Sequence, residues 1–187
     1  IVQPWQIIFL IIAVPGVILG LFMFALKDPV RKEVIVTDKD EKDSIRDVFS
    51  YVIKNIGAYI PLLIGSAFII VLLYGVQSWV PTFLHRIHGW EHTRIGDQYG
   101  LVALFAGSLG VISGPVCEKY LTKLNFNPPI IILCIITSIA LTIIGPLTFL
   151  SLNSDIVLIG IFITSFFITL PLALFATSLQ NITPNQY

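Results

Sequence analysis

The sequence predicts an all-α membrane protein, a polytopic bundle of five transmembrane helices. Hydrophobic residues make up 56% of the 187 residues and charged residues only 12%, about half the charged share of a soluble domain. The charged residues are also clustered, and the apolar tracts between the clusters reach the length of about 20 residues that a helix needs to cross a bilayer. The expected surroundings are therefore lipid, and a net charge of zero gives no reason to expect a nucleic-acid partner.

Five apolar tracts account for most of the chain. The predicted spans are about 7–26, 59–83, 99–117, 128–152 and 156–179. Pro15 and Gly16 lie in the middle of the first span, where we expect a kink. The connections predicted on the two sides are a short loop over 85–98, a basic turn over 118–127 and a tight turn over 153–155.

The one strongly polar segment covers residues 27–55 and carries seven basic and seven acidic residues. Its first part, to residue 43, is typical of a solvated loop. From residue 44 to 54, apolar residues recur at helical spacing, which predicts a short amphipathic helix lying on the membrane face; a soluble linker helix is the alternative. The apolar positions are Ile45, Val48, Phe49, Val52 and Ile53.

The distribution of basic residues predicts the orientation. The 27–55 segment and the turn after the third span carry nine Lys and Arg residues on one side of the membrane, whereas the other side carries only Arg86 and Arg94. Because basic loops stay in the cytoplasm, we predict an N-terminus outside, a cytoplasmic C-terminus and a location in the plasma (inner) membrane. The acceptor-like Asn181-Ile182-Thr183 then lies on the cytoplasmic side and is expected to be unglycosylated.

The residues that support catalysis or metal binding are sparse. No Asp, Glu, Lys, Arg or His lies inside a predicted span, and the two cysteines, Cys117 and Cys134, have no ligand spacing. Three histidines share one loop at a spacing that could place them on one helix face, but Gly89 lies among them: His85, His88 and His92. We therefore predict no catalytic residue, no cofactor and no metal site, and the chain is not expected to be an enzyme.

Small residues line the third predicted span. Gly110 and Gly114 are four residues apart, and Ala106 extends the series by one turn. In lipid, small residues at this spacing let two helix backbones approach closely. We predict that this helix packs through Ala106, Gly107 and Gly110.

The residues that follow this span carry a family resemblance. The run from Gly114 through Glu118 and Lys119 to Lys123 resembles the loop signature G-x-x-x-[DE]-[RK]-x-x-x-[RK] of the major facilitator superfamily. The resemblance implies that Gly114, Glu118, Lys119 and Lys123 form a gating loop at the cytoplasmic surface. The family more often has aspartate and a further glycine, so this copy resembles a degenerate one from the second half of the transporter.

The resemblance extends over nearly the whole chain. The entry Pro4-Trp5-Gln6, the segment 74–84 and the closing Ile182-Thr183-Pro184 are similar to the spinster-like branch of that superfamily. The likeness implies a fragment of a twelve-helix fold, helices six to ten. Residues 1–26 would be the last helix of the N-terminal half, 27–56 the cytoplasmic linker, and 57–187 the first four helices of the C-terminal half. The N-terminal helices missing from this chain would then be its partner.

The same resemblance implies a mechanism and a set of cavity residues. Two six-helix bundles would rock around a central cavity and move a small organic or amphipathic solute by alternating access. The second and fifth spans would line the cavity, with Pro171 as a hinge. Their polar candidates are Tyr74, Gln77, Ser78, Trp79, Thr164, Ser165 and Thr169.

Two other functions stay open on the residues alone. The stripe of small residues would also suit an accessory or structural membrane subunit. An integral membrane lipid-modifying enzyme would need a nucleophile, an acid–base pair or a metal-binding carboxylate cluster near the interface, and the sequence has no such motif.

Overall fold

The structure, a computed structural model, describes residues 3–26, 45–126 and 128–183. Within those ranges every regular element is helical, which confirms the all-α class. The solvated loop predicted over 27–43 lies outside the described residues. The chain forms two compact units, one containing the first helix and the other containing all the later ones.

The first unit contains helix α1, Pro4–Met23, followed by a turn over 24–26. Pro4 begins the helix, where its missing N–H costs nothing, and the Gln3 backbone N–H donates to Gln6 Oε1 at 2.8 Å. Pro15 lies inside the helix, which continues past it. The first predicted span is therefore present, three residues shorter at its end than the sequence suggested.

The second unit begins with the amphipathic helix α2, Ile45–Lys54, and the long helix α3, Ile56–His88. The 33 residues of α3 rise about 50 Å at about 1.5 Å each, well beyond the hydrocarbon thickness of about 30 Å. The predicted loop from residue 85 is wrong, because Leu84 is fully buried and holds the helix to His88. Gly89 then ends the helix in the left-handed conformation, with φ of 65°.

The third span also extends beyond its predicted limits. A short helix α4, His92–Arg94, continues through a π-helical turn, Ile95–Tyr99, into α5, Gly100–Lys123. Asn125 stops α5 with a φ of 62°, and the Phe126 N–H donates to the Leu121 carbonyl at 3.1 Å, a Schellman closure. Residues 118–123 are therefore helical, and the turn predicted to begin at residue 118 is wrong.

The last two spans become three helices. Helix α6 is Pro129–Leu150, and the fifth predicted span is divided into α7, Ser154–Thr169, and α8, Leu172–Ile182. Asn153 caps α7, its Oδ1 accepting from the Asp155 N–H at 2.9 Å. The break between α7 and α8 falls at Pro171, the residue that the sequence suggested as a hinge.

The second unit has two recognisable ends. At the linker end, the start of α3, the ends of α5 and α8 and the start of α6 surround one cleft. At the histidine end, Trp90 reaches Ser154 at the start of α7. Between the two ends α7 packs against both α5 and α6, and its Ile161 and Ile168 are fully buried in separate apolar clusters.

Candidate functional site: the polar face of α3 and the linker-end cleft

A polar stretch interrupts the apolar surface of α3. Tyr74 is 64% exposed and Trp79 is 71% exposed, and Gln77 and Ser78 between them are exposed too. Tyr74, Gln77 and Ser78 share one face at i, i+3 and i+4, while Val80 on the packed side is buried. The structure therefore leaves the four α3 candidates accessible.

Pro81 adds a backbone group to this polar face. Proline has no N–H, so the Gln77 carbonyl, four residues earlier in the same helix, loses its helical donor. Gln77 therefore presents both a backbone carbonyl that lacks its helical donor and an amide side chain. Both can bind a polar solute or water.

The polar candidates on α7 have a different setting. Thr164 is 3% exposed and Thr169 is buried as well, and Thr169 Oγ1 donates to the carbonyls of Ser165 and Phe166 at 2.9 and 3.1 Å. Thr164 Oγ1 is buried without a hydrogen-bond partner among the described residues. The described bundle thus places both threonines between helices rather than on an open wall, and only Ser165 is partly exposed.

The stripe of small residues on α5 forms a close helix contact. An ideal Cβ on Gly110 would lie 2.5 Å from the Phe166 carbonyl oxygen, and one on Gly114 would overlap the Leu170 carbonyl oxygen. Ala106, one turn earlier, is fully buried. Gly107 has open space around it, so it does not belong to this contact, and Gly114 takes its place as the third member of the stripe.

Glu118, Lys119 and Lys123 lie on the last turns of α5 rather than on a loop. Lys119 and Lys123 are exposed, and Glu118 is partly buried. Thr122 Oγ1 donates to the Glu118 carbonyl at 2.9 Å. The sequence signature is therefore a continuous helix end, which fixes the spacing of its charges.

Glu118 lines the linker-end cleft, a cavity of about 670 Å³. Its walls are mostly apolar and come from α3, α6 and α8, through residues such as Pro61, Ile131 and Phe175. Glu118 is the one charged residue in the described lining. A carboxylate at the wall of an apolar cleft needs a basic or N–H partner when it is not hydrated.

The histidines lie at the opposite end. Because Gly89 turns the chain, the ring of His92 stacks on that of His85 with centroids 4.5 Å apart. His85 Nδ1 donates to the Trp90 carbonyl at 2.8 Å, whereas His88 Nδ1 lies 3.5 Å from Ser154 Oγ. The three rings therefore do not share one helix face, and the described residues contain no group of three suited to a metal ion.

Two interactions were not predicted from the sequence. Pro171 cannot donate to the Phe167 carbonyl, and Thr137 Oγ1 of α6 donates to that oxygen instead, at 3.2 Å. At the other end of α6, a Cβ on Gly160 would overlap the buried Thr148 side chain. The proline was a usable signal for the first interaction, because a freed carbonyl in lipid needs a donor from a neighbouring helix.

Five helical segments of the described part are long and apolar enough to cross a membrane, with α4 to α5 counted as one segment and α7 with α8 as another. Together with the exposed polar face on α3, they define a polytopic helical membrane protein. The family model of the Major Facilitator Superfamily matches residues 2–187. The chain belongs to that superfamily and is a major facilitator transporter sequence. No curated protein and no solved structure matches it.

Proposed function

We propose that the chain forms part of a transporter that moves a small organic or amphipathic solute by alternating access, with the polar face of α3 on its central cavity. The observation that carries this proposal is the exposure of Tyr74, Gln77 and Ser78 on an otherwise apolar helix. A polar amide and its freed carbonyl are costly against hydrocarbon. They are stable there only beside water, a solute or other protein groups.

The chemistry of this face suits an amphipathic solute. Tyr74 offers aromatic surface, Gln77 offers both a donor and an acceptor, and Ser78 offers a hydroxyl. No charged side chain lies in this part of α3. Recognition through these residues would rely on stacking and neutral hydrogen bonds.

The proposal also assigns the helices, in chain order, to the two halves of the transporter and gives the end of α5 a gating role. Residues 1–26 would be the last helix of one half, and α3 and α5 to α8 would begin the other, as in the spinster-like branch. Glu118, Lys119 and Lys123 would gate the linker end by pairing with groups that separate when the transporter changes state. The cleft beside Glu118 supports this role because it offers room for such a partner.

Cysteine accessibility tests the cavity without knowledge of the solute. In the full-length transporter, with Cys117 and Cys134 replaced by serine, a Gln77→Cys variant is treated with a membrane-impermeant thiol reagent in right-side-out and inside-out vesicles. We expect reaction from both sides, because alternating access opens the cavity to each side in turn. The matched control is Leu72→Cys, an exposed apolar position of the same helix that points away from the face shared by Tyr74, Gln77 and Ser78, and it is expected to react from neither side.

The possible failures are distinguishable. If Gln77→Cys is as unreactive as Leu72→Cys, the α3 face does not line a water-filled cavity. Reaction from one side only would keep the cavity but contradict alternating access. A panel of organic solutes can then be screened for protection of Gln77→Cys, and protection by charged hydrophilic solutes alone would contradict the proposed solute class.

A further inference from the structure

Helix α2 presents its apolar residues in two different settings. Val48, Tyr51 and Val52 are partly buried, whereas Phe49 is 65% exposed and Ile53 is 62% exposed. Phe49 and Ile53 are four residues apart and form one strip along the helix, called here the outer strip. The amphipathic helix therefore uses only part of its apolar face to pack on the bundle.

The packed side of α2 is fixed by specific hydrogen bonds. Tyr51 Oη donates to the Ile182 carbonyl at 3.0 Å, at the end of α8. Nearby, Tyr59 Oη of α3 lies 2.9 Å from Thr183 Oγ1. Asn55 Nδ2 donates to the Tyr51 carbonyl at 2.9 Å and closes the joint between α2 and α3. The orientation of α2 is therefore determined, and with it the direction of the outer strip.

The depth of α2 follows from its connection to α3. Only Asn55 separates Lys54, the last residue of α2, from Ile56, the first residue of a membrane-length helix. The exposed apolar surface continues along the chain into Ile56 and Ile60. The predicted span begins at residue 59, five residues after Lys54, so we expect α2 within about 8 Å of the lipid–water boundary.

The polar residues of α2 fit that boundary. Arg46, Ser50 and Lys54 are exposed on the part of the helix circumference away from the packed Val48 and Val52. Beside inserted apolar residues, the long side chain of Lys54 can reach lipid phosphates while its stem stays in the interface.

We propose that α2 is an interfacial clasp. Phe49 and Ile53 insert into the lipid surface of the bilayer that α3 spans, and Tyr51 holds the helix to the end of α8. The partner of the outer strip is the phospholipid interface, because the strip continues into the apolar surface of a membrane-length helix. The clasp would tie the end of α8, the half-helix beyond Pro171, to the membrane surface.

Site-directed spin labelling tests this placement. In the full-length protein lacking Cys117 and Cys134, nitroxides are attached singly to Phe49→Cys, Ile53→Cys, Ser50→Cys and Lys54→Cys, and the protein is reconstituted in phosphatidylcholine–phosphatidylglycerol vesicles. Relaxation by oxygen, which concentrates in lipid, is compared with relaxation by a water-soluble nickel chelate. We expect the oxygen-to-nickel ratio to be several-fold higher at residues 49 and 53 than at 50 and 54.

Two results would overturn the proposal. Strong nickel relaxation at all four positions would place the strip in water, and weak relaxation by both reagents at 49 and 53 would mean that protein covers it. Two positions are labelled on the outer strip and two on the polar side, so the comparison can still be made if one variant folds poorly. The tether is tested separately by adding Tyr51→Phe to Phe49→Cys: we expect a more mobile label and a lower ratio, and an unchanged spectrum would contradict the clasp.

Discussion

Gly110 lies where α5 packs closely against α7. A methyl group there would meet the Phe166 carbonyl oxygen and the Thr169 side chain, and a backbone carbonyl cannot move without shifting its helix. Gly110→Ala is therefore expected to lower the free energy of unfolding by about 1–3 kcal/mol, the usual range for overpacking. The measurement is the melting temperature of the purified protein in detergent, followed by the loss of monodisperse protein after heating.

Gly107→Ala is the matched control for this substitution. Residue 107 lies in the same helix, and no described residue lies within 4 Å of a Cβ added there. Alanine has a higher helix propensity than glycine, by about 1 kcal/mol, so the control is expected to melt at the same temperature or slightly higher. Equal melting of the two variants, both below the parent, would show that the close approach at Gly110 does not govern stability.

The same two residues show the limit of sequence reasoning at this scale. The four-residue spacing of Ala106, Gly110 and Gly114 predicts a close helix contact, because only small residues permit one in lipid. The spacing alone could not decide between Gly107 and Gly114 as the third member. That choice depends on which face of α5 meets α7, and this is a property of the packed bundle.

At the scale of helices, a hydrogen-bond donor on α6 pairs with a backbone carbonyl at the break between α7 and α8. Thr137 is fully buried in α6 and donates to the Phe167 carbonyl, the group that Pro171 leaves without a helical N–H. Thr137→Val keeps the shape and removes the donor. We expect it to lower the free energy of unfolding by about 0.5–2 kcal/mol, the range of interhelical hydrogen bonds in membranes, measured as a shift in melting temperature.

Two further variants give this prediction its control. Thr142→Val changes an exposed threonine of the same helix that bonds to its own backbone, at Ser138, and should have little effect. In a Pro171→Ala background the alanine N–H can serve the Phe167 carbonyl, so Thr137→Val should cost less there than in the parent. A loss of the same size in both backgrounds would mean that Thr137 acts only through packing.

Helix existence was predictable from the sequence, whereas helix limits were not. Hydrocarbon tolerates only chain segments whose backbone is internally bonded, so each uncharged tract had to be a helix; the break between α7 and α8 falls at Pro171. Beyond the hydrocarbon the chain has other choices. Burial of Leu84 extends α3, and the Schellman closure at Asn125 extends α5 past the residue where its apolar tract stops.

For the whole molecule, the sequence predicted five spans and assigned the basic residues of their connections to the two sides of the membrane. The structure places Lys54, Lys119 and Lys123 on helices that share the linker end, and Arg86 and Arg94 at the histidine end. The packing of α7 between α5 and α6 was not predictable from composition. Lipid surrounds every span alike, so the apolar pattern carries little information about neighbours.

The separation of charges between the two ends leads to a prediction about orientation. In the topology predicted from the sequence, nine basic residues fall on one side and two on the other, and basic segments are retained in the cytoplasm. We expect the linker end to face the cytoplasm. Glu91→Cys at the histidine end should then react with an impermeant maleimide in intact cells, whereas Lys123→Cys at the linker end should react only after the membrane is permeabilised.

The labelling experiment is controlled for burial and for the native cysteines. Glu91 and Lys123 are both exposed, so burial cannot explain a difference, and Cys117 and Cys134 are replaced by serine in both variants. The reverse labelling pattern would contradict the orientation, and labelling of both variants in intact cells would contradict the separation of the two ends by a membrane.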